Sequence, residues 1–279
     1  MSAPRSIAVF THQNPADTTA ALERLLSAAA EAGIEAHLSA DELRKHGLPG
    51  PPGDPEAADL AVVLGGDGTI LSALRAFAGR EVPVFAFNYG AIGFLATVDR
   101  DGFEDGLRRV VSGDFEVLSM PALAIDTGDG PRRAAGDVSF HRRPEGRVAE
   151  LAYSVEGEQL GKVRCDGLVA STPVGSTGYN LANGGPLLAW GVEGYVVSFI
   201  APHSLTARGV VVAPDTPLKV LNCSDREAVD VTTDGRIVCP LAPGDALEVR
   251  FEHDMIRLAQ TPGSTFYRRL REKFGRIAY

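Results

Sequence analysis

The hydrophobic pattern of this chain changes period near residue 115, and that change calls for two domains of different construction. Between residues 6 and 113, short apolar runs alternate with stretches of helical spacing. "SIAVF" reads as a strand, "PADTTAALERLLSAAAEAG" as a helix with Pro15 in its first turn and Gly33 at its end, and "IEAHL" as a second strand. "LPGPPGDPE" (48–56) is a loop by composition, and residues 59–64 and "VPVFAFN" supply further strands. Strands separated by helices build parallel βαβ units.

Beyond Phe115 the chain breaks into many short β-type segments punctuated by Gly, Pro and Asp, among them "VAELAYSVEG", "GLVAST", "YVVSFIAP", "LKVLNCS" and "ALEVRF". The expectation is an α/β domain over 1–115, with a parallel, Rossmann-like sheet, followed by an all-β domain over 116–262. "STFYRRLREKFGRI" closes the chain with apolar residues at Phe266, Leu270 and Phe274, spaced by four as on one helical face, with Ser264 as the candidate cap. This segment, 263–279, is expected to return to the N-terminal domain.

At 279 residues and 44% apolar content the chain can bury a sizeable core, and its net charge of −9 leaves no positive field for a nucleic acid or an anionic membrane. Cys165, Cys223 and Cys239 form no C-x-x-C pair, and the six histidines lack metal-ligand spacing, so no protein metal site is expected. No apolar run reaches the roughly 18 residues of a membrane span and no long signal core opens the chain; a cytoplasmic protein is expected.

The chemistry concentrates at "LGGDGTILSAL" (64–74), where an apolar strand gives way to helical spacing from Thr69 onward. Glycines at such a turn permit φ > 0 and let a phosphate approach the main chain, while the free N–H groups of the helix start attract anions. No lysine follows as in GxxxxGK[ST], and the spacing is not GxGxxG. In an isolated G-x-D-G the aspartate is better read as a cap. Here Thr69 is available as the cap. A second negative group beside a phosphate cradle makes sense where it meets Mg²⁺ or takes the proton of an attacking hydroxyl, which points to Asp67 as a kinase-type base.

"GGDGT" resembles a signature shared by NAD kinases, by diacylglycerol and sphingosine kinases and, in part, by phosphofructokinases. The run "RCDGLVASTPVGSTGYNLANGGP" (164–186) is similar to the NAD kinase segment with a TP-x-GST-x-Y core, and "NYGAIGFLATV" (88–98), "APHSLTARGVVV" (201–212) and "TTDGR" (232–236) fall in that family's order. The resemblance implies phosphoryl transfer from ATP, or polyphosphate, to the 2′-hydroxyl of the adenosine ribose of NAD, with Mg²⁺ accompanying the nucleotide and a homodimer or homotetramer as the assembly. By the same matching, Asp67 is the general base and Gly66 and Gly68 keep the main chain open to substrate. Arg164 and Asp166 contact the dinucleotide; Thr177, Gly178, Tyr179 and Asn180 line the base pocket, with Ala182 beside them, and Asn88 supports the site. His203 reads as a histidine satisfied inside the β domain.

Three positions depart from the family pattern. Gly136-Asp137 stands where an Asn-Glu or Asn-Asp pair is usual, so Asp137 keeps an acceptor while Gly136 loses the amide donors. Val174 replaces Thr or Ser, and Arg236 replaces a common Gln. These departures keep open an NAD(P)-sensing protein without turnover, as GGDGT alone keeps open a lipid kinase.

Overall fold

The computed structural model describes residues 2–275; Met1 and the last four positions of the expected terminal segment, 276–279, lie outside them. The chain divides into two compact units. One is the segment up to Ser119 together with that from Ile256 onward, and the other is Met120–Met255.

The first unit runs β1 (Ser6–Thr11), α1 (Thr19–Glu31), β2 (Glu35–Leu38), α2 (Ala40–His46), β3 (Leu60–Gly65), α3 (Asp67–Ala76), β4 (Val84–Asn88), β5 (Val98–Asp99) and α4 (Phe103–Ser112). Its parallel strands lie in the order β4-β3-β1-β2. Every residue of β3 is buried, which is why "LAVVLG" shows no polar alternation: a central parallel strand is covered on both faces. The helices supply the cover, with Leu22, Leu25, Ala28 and Ala29 of α1 in the core alongside Ile7, Val62 and Phe85. The chain steps outward from β1 to β2 and then back across β1 to β3. That reversal is the switch point at which open α/β sheets place ligands, and the GGDG turn leaves β3 there.

Local signals account for the helix boundaries. Pro15 starts a short 3-10 turn, Pro15–Asp17, ahead of α1, and Gly33 takes φ +70 just past its end. Helix α2 has no counterpart in the sequence reading; its cue is Ser39, whose Oγ accepts the Glu42 N–H at 3.2 Å, with Gly47 closing the helix at φ +64.

The second unit continues with β6 (Glu116–Asp126), β7 (Pro131–Ala134), β8 (Asp137–Arg142), β9 (Ala149–Val155), β10 (Glu158–Cys165), β11 (Gly167–Ser171), α5 (Tyr179–Ala182), β12 (Tyr195–Ile200), β13 (Val210–Val212), β14 (Leu218–Asn222), β15 (Val229–Thr233), β16 (Arg236–Leu241) and β17 (Ala246–Gln260). One antiparallel sheet has the order β13-β12-β11-β8-β15-β16, and β10-β9-β14-β17 form a second run. Val138, Phe140 and Leu168 of the first sheet share one core with Leu151, Val220 and Val249 of the second, as the two inner faces of a sandwich do. From Ile256 onward β17 belongs to the first unit, where Leu258 pairs in parallel with Val84.

The final helix, α6 (Phe266–Phe274), packs in the first unit. Its cap is Thr265, whose hydroxyl accepts the Arg268 N–H at 3.2 Å; Ser264, the expected cap, donates to Gln260 Oε1 instead. Phe266 and Phe274 meet the Phe94 ring at centroid separations of 5.7 and 5.6 Å, and Leu270 is buried between them on the same face.

Candidate active site

Asp67 is the first residue of α3, three positions earlier than a Thr69 cap allows; Gly66 takes the cap position without a side-chain bond, and Thr69 lies inside the helix. The Asp67 carboxylate reaches back across the turn. Its Oδ1 accepts the Leu95 N–H at 2.9 Å and its Oδ2 the Phe94 N–H at 3.1 Å. A carboxylate has about four lone-pair positions, so one on each oxygen stays open for a further donor. The side chain is thus fixed in orientation and half-exposed at the sheet's switch point.

The glycines of the turn serve different ends, and none takes a positive φ. A Cβ on Gly65 would lie 2.7 Å from the Thr69 side chain, and one on Gly90 only 2.6 Å from the Gly66 Cα, so these positions are bare because backbone packs on backbone or on the helix. Gly68 is exposed and a Cβ there meets nothing within 4 Å. Packing does not require that glycine.

The segment donating to Asp67 is itself clamped. The Asn88 amide accepts from Gly90 N–H at 3.0 Å and donates to Asp99 Oδ1 at 3.0 Å, and Gly93 passes directly beneath it, where any Cβ would collide at 2.2 Å. Asp99 in turn receives Lys273 of α6 at 2.6 Å. Burial works against the Asp99 charge, but the bonds from Lys273 and Asn88 outweigh it and hold the carboxyl below its ordinary range. On the other side, buried Arg269 donates to the carbonyls of Gly93 and Ala96 and to Gln260 Oε1. Asn88, Tyr89, Gly90, Asp99, Arg100 and Asp101 line a cavity of about 440 Å³, with the Arg100 guanidinium 5.0 Å from the Tyr89 ring centroid.

In the second unit the predicted residues gather around Tyr179. Its ring stacks on His141 at 5.5 Å with an interplanar angle of 8°, and burial, then the charges of Asp137 and Asp166, push its phenol upward. His141 is oriented by Ser139 Oγ at 2.8 Å, which also bonds Thr232 Oγ1 at 2.6 Å; burial lowers the imidazole's pKa, with Asp230 opposing. Asp166 is tied to Arg142 Nε at 2.5 Å. Asp137 opens β8 and is almost fully buried, and the Asp234 carboxylate beside it accepts the main-chain N–H groups of Ala135, Gly136 and Asp137 at 3.1, 2.7 and 3.1 Å. Gly136 lies against Gly175, where a Cβ would sit 2.1 Å from the Gly136 oxygen.

Other predicted residues take different places. Arg164 lines a separate cavity of about 710 Å³ with Arg147, Glu150, Arg226 and Glu227, away from the Tyr179 cluster. Asn180 does not line an open face: it is fully buried, and its amide donates to the carbonyls of Ser176 and Pro186, pinning the turn. Thr177 is half-buried with its hydroxyl on the Val174 carbonyl at 3.3 Å, Gly178 is exposed, and Ala182 ends α5. Val174 is 2% exposed, so its methyls fill core space. Arg236 starts β16 on the surface. His203 is exposed instead of buried, with its main-chain N–H on the Arg164 carbonyl at 2.7 Å.

Five contributors escaped the sequence reading: the Phe94 and Leu95 amides, Arg269, His141 and Asp234. Main-chain donors have no residue signature. Arg269 and His141 did leave a signal, the former three residues after Phe266 on the apolar face of the last helix, the latter in the alternation of "DVSFHR".

A parallel α/β unit with a fixed carboxylate at its switch-point turn, and a β-sandwich carrying an aromatic and acidic cluster, are the parts of a nucleotide-dependent phosphotransferase, and the comparisons with known proteins give that class. The ATP-NAD kinase N-terminal domain matches residues 49–115 and the ATP-NAD kinase C-terminal domain residues 135–260. The chain is 36% identical to the NAD kinase of Gemmatimonas aurantiaca over 78% of its length and 77% of that protein's. It is 34% identical to the NAD kinase of Geobacter sp. strain M21 over 96% and 98%. Its fold matches yeast NADH kinase complexed with NADH, at a TM-score of 0.85, 22% identity and coverage of 100% of this chain and 90% of that one. It also matches an NAD kinase from Archaeoglobus fulgidus in complex with ATP, at 0.77, 24% identity, 96% and 98%. The chain belongs to the NAD kinase family. Among the described residues no helix is long and apolar enough to cross a membrane.

Proposed function

We infer that the protein is an NAD kinase, transferring the terminal phosphate of ATP, or of polyphosphate, to the 2′-hydroxyl of the adenosine ribose of NAD to give NADP. The observation that carries this reading is Asp67, oriented by the Phe94 and Leu95 amides with an accepting position open on each oxygen. The ribose hydroxyl donates to that carboxylate; as its oxygen bonds to the γ-phosphorus, the proton passes to Asp67 and the bond to the departing ADP oxygen breaks. Because the transition state is loose, the carboxylate acts chiefly by aiming the hydroxyl in line. Gly66 and Gly68 leave the main chain accessible, and the cluster of Asp137, Asp166, Thr177, Gly178 and Tyr179 binds the dinucleotide, with Tyr179 offering a ring face to a base.

Among the described residues no group of three His, Cys, Asp or Glu side chains is placed to hold a metal ion; Mg²⁺ would come with the phosphates of the donor and would offset their charge. The protein works in the cytoplasm as a homodimer or homotetramer. Incubating it with NAD and either ATP or polyphosphate, and measuring NADP, tests the reading. Absence of NADP with every donor, alongside binding of NAD, makes it a sensor.

A further inference from the structure

We propose that Asp137 holds the dinucleotide as an un-ionised acid, donating its carboxyl O–H to an acceptor on one of the two bases and so supplying the donor that Gly136 lacks. The inference rests on the proposed NAD kinase reading for the identity of the ligand.

The geometry separates two neighbouring carboxyls. Asp234 faces three N–H donors, a set that suits an acceptor-only, ionised carboxylate. Asp137 is 8% exposed, and among the described residues no hydrogen bond reaches its carboxyl. Ser171, directly opposite on β11, leaves its own hydroxyl without a partner. Among the described residues Asp137 makes no salt bridge, and the charge that weighs on it is the negative one of Asp234. Asp234 projects from the β15–β16 turn, Tyr179 comes from α5, His141 on the same strand is disfavoured as a cation by burial, and the Arg142 guanidinium is bonded to Asp166. Burial, and then the Asp234 charge, push Asp137 up to about 7. Burial next to a fixed anion disfavours the ionised form, and the O–H of the neutral carboxyl, with no hydrogen-bond partner among the described residues, is available to a ligand acceptor. An ionised acceptor at this position would have to bury a second negative charge beside Asp234 and beneath a phosphate-bearing ligand.

Calorimetric binding of NAD to the whole protein between pH 5.5 and 9 tests this without a variant. The expected result is constant affinity below about pH 6.5 and weakening of roughly tenfold per pH unit above about 7.5. Asp137→Asn, which keeps an N–H donor and cannot ionise, is expected to bind within about threefold of the wild type at pH 6 and to lose the alkaline weakening. Flat wild-type affinity over the whole range overturns the proposal, as does a tenfold or greater loss of binding in a folded Asp137→Asn protein at pH 6. NADP formation is followed separately: binding with the expected pH profile and no product overturns the kinase reading while the Asp137 assignment stands. Absence of any NAD binding overturns both.

Discussion

Asp67 accepts the Leu95 N–H at 2.9 Å across 28 residues of sequence, so the carboxylate and the backbone segment that aims it form one unit. Asp67→Asn keeps the size of the side chain but sets an amide N–H against one main-chain donor and cannot take a proton. It should fold, bind NAD and lose turnover by about 10²–10⁴-fold. Single-turnover NADP formation checks this; a variant running within tenfold of the wild type removes Asp67 from the role of base.

The glycines of the turn separate packing from function. Gly90→Ala puts a methyl 2.6 Å from the Gly66 Cα and should lower the melting temperature, because backbone on both sides cannot yield. Gly68→Ala meets no protein atom, so it should melt like the wild type while the KM for a nucleotide rises. Equal melting losses in the two variants would show that Gly68 is there for the fold alone.

Arg269 is buried and bonded to the carbonyls of Gly93 and Ala96, on either side of the residues that donate to Asp67. Arg269→Ala leaves those acceptors unpaired, at about 1–3 kcal/mol for each buried group, and frees the segment. Both melting temperature and kcat should fall. Arg269→Lys, with a point charge in place of the fork, should recover stability better than kcat. If kcat follows stability in both variants, Arg269 has no positioning role.

The Asp137 carboxyl also makes stability depend on pH. Its folded pKa of about 7 lies above the ordinary 3.8, so the folded protein binds the extra proton between those values. Stability therefore declines as pH rises from about 4 to about 7 and levels off above, the reverse of a salt-bridged aspartate. Urea midpoints of the wild type and of Asp137→Asn, compared across that window, should converge at low pH and separate near pH 7 with the variant the more stable.

The His141–Tyr179 stack predicts that an aromatic ring is what position 141 requires. His141→Phe should hold the KM for NAD near the wild-type value, whereas His141→Ala lets the Tyr179 ring tilt and raises KM at nearly unchanged kcat. Identical KM values for the two variants dismiss the stack.

The sequence carried what side-chain pattern can carry. The break near residue 115 is visible because a half-buried strand and an amphipathic helix impose different periods, and Asp67 stands out because a charged residue among glycines is costly without a purpose. The reading failed where main-chain atoms act. The amides of Phe94 and Leu95 would be the same in any residue but proline, and the three donors gathered on Asp234 depend on a turn at φ +47 that "TDG" only hints at. It was incomplete again where a polar residue is buried by tertiary packing: Asn180, read as lining the base pocket, also ties its own turn together through the Ser176 and Pro186 carbonyls, and Arg269, which the sequence reading did not single out, is clasped by the Gly93 and Ala96 carbonyls.

The clasp between Arg269 and the Gly93–Ala96 segment sets the moment at which activity can appear during synthesis. A nascent chain whose last helix is still inside the ribosome already has the GGDGT turn, yet the strip of backbone that aims Asp67 lacks the ties from Arg269 and, through Asp99, from Lys273. The same applies to a protein clipped ahead of Phe266 by a protease. Such fragments are expected to be inert instead of unregulated, so NADP production begins only once α6 has docked.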